Sequence, residues 1–217
     1  MSEKINESTA FAENEISAGD APSFEPDHTT HFSIMDNEGN VVVSTQTING
    51  YFGSGLVAEG TGIVLNNEMD DFANKVGAQN IFGAVGGEKN LVEPGKRPLS
   101  SMSPTIVFDN DKPVMAVGTP SGTRILTCVM QTILNYFEYD QPLYDAVATA
   151  RYHHQWKPHY IRFDEGALDS KTRESLEKMG HKVEERNLGC RIQAIVNENG
   201  HLIGVSDPRG EGKALGL

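Results

Sequence analysis

At 217 residues the chain is long enough for one sizeable domain with its own core, and 38% apolar residues is an ordinary globular composition. A net charge of −12 argues against nucleic acid or an anionic membrane surface as partner. No apolar run approaches the roughly 18 residues of a membrane span, and no basic start followed by an apolar stretch marks a signal peptide.

Half of the charge lies in residues 1–28, where Glu3, Glu7, Glu13, Glu15, Asp20, Glu25 and Asp27 stand against Lys4. That density, with few large apolar residues, predicts an acidic, flexible tail over 1–28 and a folded domain over 29–217. Thr30, Phe32 and Ile34 then alternate with His31, Ser33 and Met35, which predicts a strand. Asn37-Glu38-Gly39-Asn40 is a turn signal, and Val41–Ile48 reads as the returning strand. In such a hairpin Thr29 stands at the free end and Thr47 at the far end of the return, so the two are expected close together.

Residues 49–100 are rich in Gly and Asn, and loops this long are usually functional or disordered. Pro104–Phe108 and Pro113–Val117 predict a second strand pair around Asn110-Asp111. Gly118-Thr119-Pro120-Ser121-Gly122 opens a helix with Ile125, Leu126, Val129, Met130, Ile133, Leu134 and Phe137 on one wide face. Further helices are expected over about 142–150 and from an Asp169 cap to Gly180, and strands over about 190–197 and 201–206. The order predicts an α+β layer fold with a largely antiparallel sheet. Cys128 and Cys190 are expected as buried free thiols, with a disulfide left open. His31, His153 and His154 lack the partner spacing of a metal site, and adjacent histidines in an extended run point to opposite faces. No metal is expected.

A threonine hydroxyl is a weak nucleophile and needs a base. At a chain N-terminus its own α-amine serves, with an ordinary pKa of about 7.7–8.0. Thr29 acquires such an amine only when the His28–Thr29 bond is cut. Taken alone, Thr29-Thr30-His31-Phe32-Ser33 reads as plain strand sequence.

The rest of the chain changes that reading. Thr45-Gln46-Thr47-Ile48-Asn49, Leu65-Asn66-Asn67-Glu68-Met69-Asp70-Asp71-Phe72, Arg97-Pro98-Leu99-Ser100-Ser101-Met102-Ser103-Pro104-Thr105 and Gly118-Thr119-Pro120-Ser121-Gly122-Thr123-Arg124 follow in order. So do Arg151-Tyr152-His153-His154-Gln155-Trp156 and Ser206-Asp207-Pro208-Arg209. As an ordered set, from about Ser17 onward, they resemble the small subunit of the γ-glutamyltranspeptidase family (γ-glutamyltransferase, glutathione hydrolase).

The resemblance implies an αββα sandwich of the N-terminal-nucleophile hydrolase class. It implies a precursor that cuts itself into a large and a small subunit, which stay together. Residues 1–28 then correspond to the tail of the large subunit and 29–217 to the small catalytic subunit. Thr29 matches the nucleophile, which forms a γ-glutamyl ester from glutathione or another γ-glutamyl amide and passes the acyl group to water, an amino acid or a peptide. No metal or organic cofactor is implied.

By the same resemblance Thr47 hydrogen-bonds the nucleophile, and Asn49, Glu68 and Asp71 hold the substrate's α-amino group. Two carboxylates and an amide oxygen suit an ammonium ion. Ser100 and Ser101 match the pair that binds the substrate's α-carboxylate. Ser121 and Gly122 match the oxyanion hole, where the family usually carries Gly-Gly. A serine keeps the backbone donors in place only where the backbone does not need a positive φ. Residues 76–87 match the lid, with Phe82 where many bacterial relatives carry a Tyr. The family's large subunit adds an arginine for the α-carboxylate, so full activity is expected to need that partner. Relatives are periplasmic, secreted or surface-bound. Two alternatives stand beside this reading: a relative acting on poly-γ-glutamate or β-lactam side chains, and an unprocessed, inactive small-subunit-like protein.

Overall fold

The computed structural model describes residues 29–216. The acidic tail expected over 1–28, and with it the His28–Thr29 junction, lies outside the described residues.

β1 (Thr29–Met35) and β2 (Val41–Thr47) form the predicted antiparallel hairpin, with Thr29 opposite Thr47. The Asp36 carboxylate makes its turn by accepting from the Glu38 and Asn40 N–H groups at 2.9 and 2.8 Å. β3 (Thr105–Asp109) and β4 (Lys112–Gly118) are joined through Asn110 and Asp111 at φ +47° and +63°, a left-handed pair that suits these residue types. α1 (Ile125–Phe137) follows a single 3-10 turn over Gly122–Arg124, and α2 (Leu143–Ala148) is shorter than the predicted 142–150.

A small sheet then appears where sequence reading expects none. β5 (Tyr152–His153) runs antiparallel to β6 (Ile161–Phe163). α3 (Ser170–Lys178) makes the crossover to β7 (Val183–Glu185), which pairs with β6 in parallel. Strands of two or three residues carry too little alternation to be read locally. α3 starts as expected at Asp169, which accepts from the Thr172 N–H at 2.6 Å. It gives way to Gly180 at φ +93°. β8 (Gln193–Glu198) and β9 (His201–Ser206) complete a four-stranded antiparallel sheet in the order β3-β4-β8-β9.

Alternation along β4 sends Met115 and Val117 to one face of that sheet and Ala116 and Gly118 to the other. On the first face Met115, Val117, Ala194 and Val196 share the core with Ile125 and Val129 of α1 and Leu143 and Val147 of α2. The β1–β2 hairpin covers the second face. There the His31 ring lies so close over Gly118 that any Cβ would collide with it, and Ser33 Oγ donates to the Gln193 carbonyl at 3.3 Å. The layers are therefore helices, sheet, sheet, which presents the Thr29 end of the hairpin beside the end of β4.

Cys128 and Cys190 are joined in a disulfide, which corrects the expectation of free thiols. α1 packs its Cys128 face against the segment entering β8, and the two Cα atoms come within 6.6 Å. The cysteines lie 62 residues apart in sequence, so only the packing could pair them. A crosslink of this kind contributes about 2–4 kcal/mol. The variant with both Cys128→Ala and Cys190→Ala is expected to lose about that much stability in a denaturant titration. Thiol titration of the parent, unfolded without reductant, is expected to find no free thiol.

Candidate active site

The hairpin end comes first. Thr29 Oγ1 donates to Thr47 Oγ1 at 3.1 Å across the paired strand ends. Thr47 Oγ1 also accepts from the Asn49 N–H at 2.9 Å. The chain turns sharply there: Asn49 sits at φ +70°, a conformation that Asn tolerates better than most residues, and is 2% exposed. Its Nδ2 donates to the Asn67 carbonyl at 3.1 Å, which leaves the side-chain oxygen as the end able to accept. Asn67 locks the two segments together. Its Oδ1 accepts from Gly50 N–H at 2.7 Å and its own N–H donates to the Ile48 carbonyl at 3.2 Å. Sequence reading passed over Asn67 as a site residue; the doubled Asn66-Asn67 before the acidic run was the available signal.

Asn67 leads directly into a 3-10 turn over Glu68–Asp71. Burial, and then the charge of Asp71, pushes the Glu68 carboxyl above its ordinary range. Burial, and then the charge of Asp70, pushes Asp71 up to about 6. Glu68 Oε2 is buried without a hydrogen-bond partner among the described residues. Two crowded, half-desolvated carboxylates with an unused oxygen favour a cation. Asn80 Nδ2 donates to Asp71 Oδ1 at 3.3 Å, and the Ile81 N–H donates to Asp70 Oδ2 at 3.0 Å. The 76–87 loop is thereby tied to the acidic turn. Asn80 also shapes that loop, its Oδ1 accepting from the Phe82 and Ala84 N–H groups at 3.0 and 2.9 Å.

Ser101, Asp71, Asn80 and Phe82 line one narrow cleft together with Thr123. Ser100 lies exposed beside it and accepts from the Met102 N–H at 3.3 Å. Thr29 opens onto a different, wider cleft, with Pro120, Arg191 and Gln193. The residues matched to nucleophile and substrate carboxylate therefore do not share one cleft in the described chain. Thr29 reaches the acidic turn instead through the Thr47–Asn49–Asn67 hydrogen bonds.

Ser121 and Gly122 stand before α1. The Arg124 N–H donates to the Ser121 carbonyl at 3.1 Å, so the N–H groups of Ser121 and Gly122 lie ahead of the helix's own hydrogen bonds and near its positive end. Ser121 is at φ +123° and Gly122 at φ +54°. The backbone at 121 does take the positive φ that a serine resists. Phe82 packs on Gly122 so tightly that an added Cβ would stand 2.7 Å from the ring. The loop thus bridges the acidic turn and the Ser121–Gly122 turn.

His31 and His153 are buried and hydrogen-bonded within the fold. Burial pulls the His31 imidazole down to about 4, and its two ring nitrogens meet Thr45 Oγ1 at 2.7 Å and Ser33 Oγ at 3.1 Å. His153 Nδ1 meets Thr127 Oγ1 at 2.8 Å and Nε2 meets Gln155 Oε1 at 2.7 Å. His154 instead faces His159 and His181, with ring centroids 5.4 and 6.2 Å away. Among the described residues no group of three or more His, Cys, Asp or Glu side chains is placed to hold a metal ion. The Arg151 and Asp207-Pro208-Arg209 motifs form a buried ion network behind the site. Asp207 takes Arg151 Nη2 at 3.0 Å and Arg209 Nε at 2.8 Å. Arg209 Nη1 also reaches Asp164 at 3.2 Å. Burial works against the Asp207 charge, yet the hydrogen bond from Arg209 and the charge of Arg151 hold its carboxyl below the ordinary range.

The γ-glutamyltranspeptidase family model matches residues 1–217. The chain belongs to the γ-glutamyltranspeptidase family. It is 42% identical over 210 residues to the glutathione hydrolase proenzyme of Escherichia coli K12, covering 96% of this chain and 36% of that protein. To the glutathione hydrolase proenzyme of Pseudomonas aeruginosa it is 48% identical over 198 residues, covering 89% of this chain and 35% of the relative. The chain thus spans little more than a third of these γ-glutamyltranspeptidase-family proenzymes. A solved structure of the γ-glutamyltranspeptidase from Pseudomonas nitroreducens, complexed with L-DON, superposes with a TM-score of 0.82 at 45% identity, over 87% of this chain and 99% of that one. The fold is accordingly the α+β sandwich of the N-terminal-nucleophile hydrolases. No helix among the described residues is long and apolar enough to cross a membrane.

Proposed function

We propose that residues 29–217 are the catalytic small subunit of a γ-glutamyl hydrolase and transferase, and that residues 1–28 are the tail of its large subunit. The observation that carries this reading is the 3.1 Å hydrogen bond from Thr29 Oγ1 to Thr47 Oγ1 at the start of β1. It holds the hydroxyl of position 29 in one direction, as an attacking group requires.

In the precursor Thr29 Oγ1 attacks the His28 carbonyl carbon, the acyl group passes from nitrogen to oxygen, and water opens the ester. Thr29 then carries a free α-amine. That amine takes the hydroxyl proton as Oγ1 attacks the carbonyl of a γ-glutamyl amide such as glutathione. The Ser121 and Gly122 N–H groups receive the developing oxyanion. The Thr29 α-ammonium returns the proton to the scissile nitrogen, the C–N bond breaks and the substrate's amine departs, and a γ-glutamyl ester remains on Thr29. Water, an amino acid or a peptide takes the acyl group. Asn49, Glu68 and Asp71 hold the substrate ammonium, and Ser100 and Ser101 its α-carboxylate. No step needs a metal or an organic cofactor.

A large subunit completes the α-carboxylate site, and the assembled enzyme works in the periplasm or outside the cell. The raised carboxylates at Glu68 and Asp71 favour a substrate with a free α-amino group over poly-γ-glutamate interiors or β-lactam side chains. Intact-mass spectrometry tests the first step: a product running from Thr29 to Leu217 is expected, and a chain that keeps residues 1–28 under every condition would mark an inactive relative. Turnover by the assembled protein is expected to be faster on glutathione than on poly-γ-glutamate.

A further inference from the structure

Position 121 departs from the family's usual glycine, and its surroundings give the serine a task. Ser121 is 2% exposed and lies at φ +123°. Its hydroxyl donates to the Leu188 carbonyl in a short contact. Arg124 Nε donates to both of these acceptors, to Ser121 Oγ at 2.9 Å and to the Leu188 carbonyl at 2.7 Å. Arg124 is itself only 4% exposed.

Both sides of this contact are anchored. The Leu188 N–H donates to Asp164 Oδ1 at 2.8 Å, and Asp164 belongs to the buried ion network through Arg209. Two residues beyond Leu188, Cys190 is bonded to Cys128, which sits one helical turn beyond Arg124. The carbonyl and the guanidinium therefore cannot drift apart.

We propose that Ser121 Oγ, Arg124 Nε and the Leu188 carbonyl form a positioning clamp, which holds the 121–122 backbone in its positive-φ turn although position 121 carries a Cβ. The proposal rests on the oxyanion role given above to the Ser121 and Gly122 N–H groups. A side-chain-bearing residue at positive φ relaxes toward negative φ unless its surroundings over-determine it. That relaxation rotates the peptide plane between 121 and 122, and with it the Gly122 N–H. Donors to an oxyanion act over a narrow range of distance, and they act on the transition state. A loosened clamp therefore lowers kcat and leaves the ground-state contacts of the γ-glutamyl group in place. Ser121, Arg124 and Leu188 act through the backbone, as positioning residues.

The test uses the full chain assembled with its large subunit and γ-glutamyl p-nitroanilide as substrate. Ser121→Ala is expected to lower kcat by about 10- to 100-fold while KM changes by less than about twofold. Ser121→Gly, which adopts the turn unaided, is expected to exceed the Ala variant in kcat by about fivefold or more. A hydroxyl that served stability alone would leave kcat unmoved and give no glycine rescue. The clamp is overturned if Ser121→Ala keeps the parental kcat, or if the Gly variant is as slow as the Ala variant. Amide hydrogen exchange over residues 119–124 reads the clamp without turnover. Faster exchange in Ser121→Ala is expected, and exchange equal to the parent overturns the clamp. A parent that consumes no γ-glutamyl amide would count against the oxyanion role, and the exchange result would still decide the clamp.

Discussion

Thr29→Ala is expected to give a protein that keeps residues 1–28 and whose assembled form turns over γ-glutamyl amides slower by roughly a thousandfold or more, as for other lost nucleophiles. The alanine retains the β1–β2 pairing, because the register depends on backbone bonds and on the His31–Thr45 contact two residues further along β1. It removes the oxygen that meets Thr47 at 3.1 Å, together with the γ-methyl group. Unfolding midpoint and secondary structure should therefore match the parent while both mass and rate change. Thr29→Ser retains an oxygen and an amine but lacks the methyl group that restricts χ1, so slow cutting and partial turnover are expected. A Thr29→Ala protein that still loses residues 1–28 would remove position 29 from the chemistry.

The second large effect is expected at the acidic turn. Asp71→Asn should lower kcat/KM for small γ-glutamyl compounds by about tenfold to a hundredfold, the scale of losing a charge-assisted hydrogen bond, about 1.5–3 kcal/mol. KM should carry most of the change, because the ammonium is held alike in ground and transition states. The pH dependence follows from the same group. Burial and the Asp70 charge raise the Asp71 carboxyl to about 6 in the folded chain, so its charge, and with it the proposed ammonium contact, is lost as pH falls through about 6. A fall in kcat/KM below that value is expected in the parent, and Asp71→Asn should lose that limb of the profile. The stability of the free protein runs the opposite way. A carboxyl raised on folding contributes stability that is fully present below its unfolded pKa and is lost as pH rises through about 6. Binding of a γ-glutamyl compound should therefore raise the melting temperature more at neutral pH than at pH 5.

The hairpin was legible because its signals are short-range. A two-residue period, a turn signal at Asn37–Asn40 and a returning strand over Val41–Ile48 place Thr29 near Thr47 before any tertiary contact is considered, and the structure sets the two directly opposite. The cap at Asp169 and the stop at Gly180 were legible for the same reason. Asn49, Glu68 and Asp71 were different. In a loop without period, three polar residues say nothing about one another, and only resemblance to a family singled them out. Asn67, which joins them to the hairpin by three hydrogen bonds, offered only its place in the Asn66-Asn67 pair before the acidic run.

By itself the sequence determined the β1–β2 hairpin, the amphipathic α1 and the family, and it named the residues proposed for catalysis. Tertiary structure alone decided the β5–β7 sheet, the Cys128–Cys190 bond and the setting of Ser121, whose hydroxyl meets a carbonyl 67 residues away. The division has one physical cause. Periodicity, turns and caps are interactions between near neighbours and leave a repeating mark on the chain, whereas a hydrogen bond or a disulfide between remote segments depends on how packed layers bring them together and leaves no local trace.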